Sequence, residues 1–184
     1  DTEKSLSSLV SNYLGLDKNN LFNNKIPPPD RAVVDSLINR GFVINPLMKD
    51  NYFVDANYSL SEYTLKASDI DVLLGLKEHL VWLNLGNSKV KDGYLEKIGL
   101  LHNLVKLDLK GNEITDAGLK SLSRLENLES LNLYGTKVSK GILELVPKLT
   151  KLKTIYLWQT QVTKTDIIQL KKENPGLTII YERE

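Results

Sequence analysis

The chain has no cysteine among its 184 residues, which excludes disulfides, thiolate chemistry, cysteine zinc sites and covalent attachment of a c-type haem, and leaves the compartment undecided. It has only two histidines, His79 and His102, so any metal constellation must be assembled around them. It has almost no net charge: 24 basic against 23 acidic side chains give +1, and a nucleic-acid partner, which needs a basic face, loses its electrostatic case. No apolar run approaches the ~18 residues that cross a bilayer, so no membrane insertion by this segment is expected. A Gly-rich phosphate loop, a GxSxG elbow and an HExxH pair are missing too, leaving no catalytic motif and no cofactor to expect. The chain begins at Asp1 without methionine, so it is expected to be part of a longer chain whose targeting segments lie out of view.

What is present is a repeat. LVWLNLGNSKV begins at Leu80, LVKLDLKGNEI at Leu104, LESLNLYGTKV at Leu128 and LKTIYLWQTQV at Leu152, a constant step of 24 residues. Each copy continues alike: five residues after Val90, Ile114, Val138 and Val162 come Leu95, Leu119, Leu143 and Ile167, then Ile98, Leu122, Val146 and Leu170. Leu101, Leu125 and Leu149 close the first three copies. The apolar period is 2 in the first half and 3 to 4 in the second, which predicts one short strand and one or two helical turns per copy.

The pattern LxxLxLxx(N/S/T)x(V/I) followed by a leucine-spaced helical half resembles the leucine-rich repeat family over roughly residues 54–180. The family's asparagine stands only at Asn112, with Ser88, Thr136 and Thr160 at the equivalent positions, all able to hydrogen-bond turn backbone. The resemblance implies an α/β solenoid of about five strand–helix repeats, each 24–25 residues, behind an N-terminal helical cap. A step of 25 extends the pattern upstream, setting Tyr58 and Leu60 under Leu83 and Leu85, and Ile70, Leu73 and Leu76 under Leu95, Ile98 and Leu101.

Residues 54–184 are therefore expected to form the solenoid, closed at its C-terminal edge by a strand from Leu177 to Tyr181. Residues 30–53 are expected to form the cap, with Asp30 as N-cap, Val33, Val34, Leu37 and Ile38 on one helical face, Gly41 as stop and FVINPL as a strand. Residues 1–29 are read as a helix over 2–14, with Leu6, Leu9, Val10, Tyr13 and Leu14 at helical spacing, and a stiff IPPP connector at 26–29.

In a leucine-rich repeat the residues between the leucines point outward along a concave strand face. Stacking the copies gives three columns: Trp82, Lys106, Ser130, Thr154; Asn84, Asp108, Asn132, Tyr156; and Gly86, Lys110, Tyr134, Trp158. Tyr134 and Trp158 then stand about 5 Å apart at the strand spacing, with Tyr156 beside them. Rigid aromatics of this kind carry binding energy at interfaces; they also stiffen sheets by stacking on one another. Trp82, alone at the far end, is expected under the cap. The candidate binding residues are Asn132, Tyr134, Tyr156, Trp158 and Gln159, with Asp108 and Lys110 beside them, and the expected partner is a protein or a glycan.

The remaining columns read as solvated surface. Thr115, Ser139 and Thr163 are expected as helix N-caps, with Asp92 and Asp116 in the first helical turns, where the dipole favours them. Glu78, His102 and Glu126 share a column next to His79, but such a column splays outward and no metal is expected there. The phrases LNLYGTKV and IYLWQTQVT, with the helix start ITDAGL, are similar to repeats at the C-terminal end of bacterial envelope proteins carrying a c-type cytochrome domain. That resemblance implies a periplasmic or envelope setting, with a cytoplasmic one left open, and offers a second role as a structural spacer beside a redox or enzymatic neighbour. The first role remains a non-catalytic binding module.

Overall fold

The 24-residue step becomes a sheet register. The computed structural model describes residues 26–47 and 52–182. Its helices are α1 (Arg31–Asn39), α2 (Ala67–Leu73), α3 (Asp92–Ile98), α4 (Asp116–Leu122), α5 (Ile142–Leu145) and α6 (Lys164–Glu173). Its strands are β1 (Val43–Pro46), β2 (Val54–Asn57), β3 (Leu80–Asn84), β4 (Lys106–Asp108), β5 (Ser130–Asn132), β6 (Thr154–Tyr156) and β7 (Thr178–Ile180). The seven strands form one sheet in sequence order. β1 is antiparallel to β2, and every later neighbour is parallel. From β3 to β7 the partners differ by 24, as in Leu83, Leu107, Leu131, Ile155 and Ile179. The helix predicted over residues 2–14 lies outside the described residues.

Burial follows the same ruler. Leu83, Leu107, Leu131 and Ile155 are buried, as are Leu85, Leu109, Leu133 and Leu157, and the helical positions Ile98, Leu122, Val146 and Leu170 close the core from the other side. Removing each such side chain from water is worth roughly 1.5–3 kcal/mol. α1 adds Leu37, with Val33 and Val34 half-buried, whereas Ile38 is 49% exposed and does not share that face. The helix begins as expected at Asp30, whose carboxylate accepts from the Ala32 amide at 2.8 Å. In the unit after β5, Ile142 rather than Leu143 takes the fully buried place, and the helix shortens to one turn before a 3-10 turn at Val146–Lys148.

The upstream register departs from expectation. Ala56 pairs with Leu83, a step of 27, so Ala56 and Tyr58 fill the inward positions and Leu60 is 86% exposed. Leu65, Ile70, Leu73 and Leu76 are buried where a step of 25 puts them. The two extra residues therefore lie between strand and helix, in the 59–64 loop, where insertions do not disturb the stacked core.

Polar side chains stitch one unit to the next. Buried Asn112 donates through Nδ2 to the carbonyls of Leu85 and Leu109, and its Oδ1 accepts from the amides of Ser88 and Val90, at 2.8–3.1 Å. The hydroxyls of Ser88, Thr136 and Thr160 donate to carbonyls within their own turns, and that of Thr160 also accepts from the Val162 amide at 3.4 Å. Asp92 and Asp116 do more than sit near a helix dipole. The Asp92 carboxylate accepts from the Thr115 amide and hydroxyl at 2.9 and 2.6 Å. Asp116 accepts from the Ser139 amide at 2.7 Å, the Ser139 hydroxyl and the Gly141 amide. Ser139 is thus not a helix cap; its hydroxyl is committed to the preceding unit. Thr115 and Thr163 do cap their helices.

Two outcomes follow from this stitching. Asn112→Ala leaves four backbone groups without partners and should lower unfolding free energy by about 3 kcal/mol, with an unchanged urea slope. Burial pushes the Asp116 carboxyl up, but the Ser139 hydroxyl, the Ser139 and Gly141 amides and the Lys140 charge outweigh it and hold it below the usual carboxylate range. A lowered folded-state value makes this stabilisation present above the unfolded value of about 3.9 and lost as pH falls through the folded one. Acid unfolding of Asp116→Asn, followed by circular dichroism, should accordingly show a shallower pH dependence below about pH 4 than the native chain.

A candidate recognition cleft on the strand face

Alternation along each short strand sends one residue into the core and the next to the opposite face. On that face the cross-strand pairs run Trp82, Lys106, Ser130, Thr154 and Asn84, Asp108, Asn132, Tyr156. Two residues beyond each strand, Tyr134 and Trp158 stack with ring centroids 5.0 Å apart and planes 9° from parallel. Such a pair contributes about 0.5–1.5 kcal/mol beyond its burial.

Asn132, Tyr134, Tyr156, Trp158 and Gln159 line one open cleft of about 1010 Å³. It is completed by Lys171 from α6 and by Ile179, Ile180, Tyr181 and Glu182 from the last strand and its exit. The sequence signal for Ile180 and Glu182 was one further step of 24 from Tyr156 and Trp158. Lys171, reaching over from a helix, had none. Its ammonium lies 5.0 Å from the Tyr181 ring centroid.

Asp108 does not join that cleft. It lines a smaller one of about 410 Å³ that runs from Asp55, Trp82 and Lys106 along the face to Asn132 and Tyr156, the two residues it shares with the larger cleft. Burial raises the Asp55 carboxyl, partly opposed by the Asn45 amide at 3.3 Å. Burial lowers the Lys106 ammonium, partly opposed by the charge of Glu129, and that ammonium stands 4.5 Å from the Trp82 ring centroid. Trp82 is half-buried against Phe53, Val81 and Val105, beside Ile26 and Leu47. Lys110 lines neither cleft; its side chain lies over Gly86, where a Cβ would meet Lys110 Cε at 3.0 Å.

The polar column has a structural duty. Asn57, Asn84, Asp108 and Asn132 each accept, through a side-chain oxygen, the amide two residues on, at 2.9–3.0 Å. Asn132 also donates to Asp108 Oδ2 at 3.2 Å. The next member is Tyr156, which has no oxygen at that position to close the turn. The turns carry a second column, with φ near +60° at Asn87, Gly111, Gly135 and Gln159. Glycine and asparagine tolerate that region, whereas a glutamine there is strained.

The histidine column stays apart. His79 is buried with Nε2 3.0 Å from the Pro27 carbonyl, while His102 is exposed. Among the described residues no group of three or more His, Asp or Glu is arranged to hold a metal ion. No helix of the described residues is long and apolar enough to cross a membrane.

No family model and no curated protein matches the chain. Among solved structures it is similar to the leucine-rich repeat ectodomain of the receptor kinase HAESA from Arabidopsis, in complex with an N-terminally extended IDA peptide hormone ligand. That match has a TM-score of 0.42 and 21% identity over 67% of this chain. It is also similar to an internalin from Listeria monocytogenes, with a TM-score of 0.43 and 21% identity over 66% of this chain. This chain spans 21% and 39% of those two chains.

Gln159 offers a direct test of strain kept beside the cleft. Gln159→Gly should stabilise the fold by about 0.5–1 kcal/mol, because relief of the left-handed conformation exceeds the added entropy of the unfolded chain. The check is urea unfolding; a loss of stability would show that the glutamine side chain supports the fold instead.

Proposed function

We propose that the chain is a non-catalytic binding module of the leucine-rich repeat kind, which uses the C-terminal half of its strand face to hold a protein. The observation that carries this reading is the coincidence of three departures in one unit. Tyr156 replaces the side-chain oxygen that closes the earlier turns, Gln159 takes a strained conformation that glycine would relax, and Trp158 stands half-buried on the sheet. The first two departures cost local stability, and all three side chains line the same cleft. Rules of local structure are broken together mainly where a site requires it.

Burial of rigid aromatics against the partner supplies the binding energy, and the Gln159 amide fixes its orientation beside Asn132, whose own amide is held by the Tyr134 amide and Asp108. Asp108 and Lys110 act indirectly: the first closes a turn and holds Asn132, and the second packs on Gly86. On this reading α1 and β1 cap the solenoid of residues 54–184. An envelope setting within a longer chain belongs to the same proposal and rests on the resemblance of the repeat phrases.

The test is affinity capture from envelope extract, with the captured protein identified, purified and titrated against the native chain and against Trp158→Ala. Affinity should fall at least about tenfold in the variant, as for an interface hot spot. Unfolding free energy should fall by about 0.5–1.5 kcal/mol for the lost stack and roughly 1–2 kcal/mol more for the half-buried indole, so the two proteins are compared where circular dichroism shows both fully folded. Equal affinity of the two proteins would reduce the aromatics to scaffold.

A further inference from the structure

Besides Tyr156, three aromatic platforms stand on the strand face or at its C-terminal edge, where Tyr181 packs on the core at the position that follows Leu157 by 24, and they are not equivalent. Trp82 is covered by the ammonium of Lys106, and Tyr181 by that of Lys171, at 4.5 and 5.0 Å from the ring centroids. In both places the protein supplies its own cation to the negative face of a ring. The third platform is the Tyr134 and Trp158 stack. Lys110 precedes Tyr134 in the same column, one unit earlier, but leans over Gly86 instead. On the other side of Trp158 the strand pairing ends at Tyr156 and Ile180, and Glu182 follows two residues beyond that pair. Glu182 lines the same cleft as Trp158. Its contact with Lys164, at 3.7 Å with both side chains largely exposed, is of the solvent-screened kind that contributes little.

An indole stacked on Tyr134, with a carboxylate lining the same cleft, is complementary to a planar cation. We infer that the cleft takes an arginine side chain of the protein partner, its guanidinium lying on Trp158 and paired with Glu182. A guanidinium suits the place better than an ammonium, because it stacks flat on an aromatic ring while presenting N–H groups to a carboxylate in its own plane. The Gln159 amide lines the same cleft and can serve the peptide backbone on either side. This inference rests on the recognition reading above and adds the chemistry of its anchoring group.

The probe is an acetylated, amidated Gly-Arg-Gly peptide, compared with its counterpart in which uncharged citrulline replaces arginine. The whole chain is labelled with nitrogen-15 and its two indole N–H signals are assigned with Trp82→Phe and Trp158→Phe. The arginine peptide should shift the Trp158 signal saturably and leave that of Trp82, already under Lys106, in place. The citrulline peptide should bind about tenfold more weakly, and Glu182→Gln should remove most of that difference while the Trp82 signal stays native. Equal binding of the two peptides at Trp158 would overturn the arginine assignment and leave the recognition reading standing. Absence of any shift at Trp158 up to the peptide's solubility limit would also overturn it. Failure of the recognition reading has a different sign, namely capture of the natural partner undiminished by Trp158→Ala.

Discussion

A strand and a short helix of 24 residues cannot cover their own apolar side; only the next unit can. Every other feature of the fold follows from that dependence. Leu83, Leu107, Leu131 and Ile155 are buried because each lies under its counterpart in the neighbouring strand. The same dependence makes the two ends special. At the N-terminal end α1 and the antiparallel β1 bring Leu37 and Phe42 into the core. At the C-terminal end Leu152, Val162, Leu177, Ile179 and Tyr181 are only partly buried, since β7 has a neighbour on one side.

The polar connections between units weaken along the chain in the same direction. Asn112 ties its unit to the preceding one through four backbone groups, while Thr136 and Thr160 bond only their own turns. Asp92 and Asp116 each fasten the following unit, and the column then changes to Lys140 and Lys164, which have no acceptor to offer. The stacked Tyr134 and Trp158 make their contact between units where these fastenings have run out. Stiffening is therefore compatible with the proposed recognition role: the two rings stack on one another, and Trp158 still lines the cleft.

The constant step made the fold legible from residues alone, because burial and strand register share one period. Legibility failed where the period slips. The extra residues around Leu60 cannot be located by matching leucines, since the strand and helical halves of that unit obey different offsets, 27 and 25. Ser139 was misread because a hydroxyl beside a helix start has two partners within reach. The choice of Asp116 depends on a carboxylate 23 positions away. Tyr134, Tyr156 and Trp158 were placed on one face by arithmetic, whereas Lys171 reaches the cleft from a helix, outside any strand period. Asp108 and Asn132 share a column in sequence, yet their side chains close turns, a duty visible only once backbone amides have positions.

A face with balanced charge binds by a different route from a steered one. The net charge is +1, and several charges on and around the sheet engage partners of their own: Lys153 meets Glu129 at 2.9 Å, Lys106 lies over Trp82, and Lys171, from the last helix, lies over Tyr181. Little long-range field is left to accelerate encounter, so in the proposed binding role affinity would come from slow dissociation after close contact. Slow dissociation requires desolvated, rigid contact area, and aromatic rings held by a sheet provide it with few rotatable bonds to immobilise. The uneven distribution of the aromatics then has a physical consequence. The N-terminal half of the face, with Asn57, Asn84 and Asp108 occupied in their turns, offers hydrated polar surface. The C-terminal half, where those oxygens give way to Tyr156, is the part of the sheet on which a partner gains by excluding water.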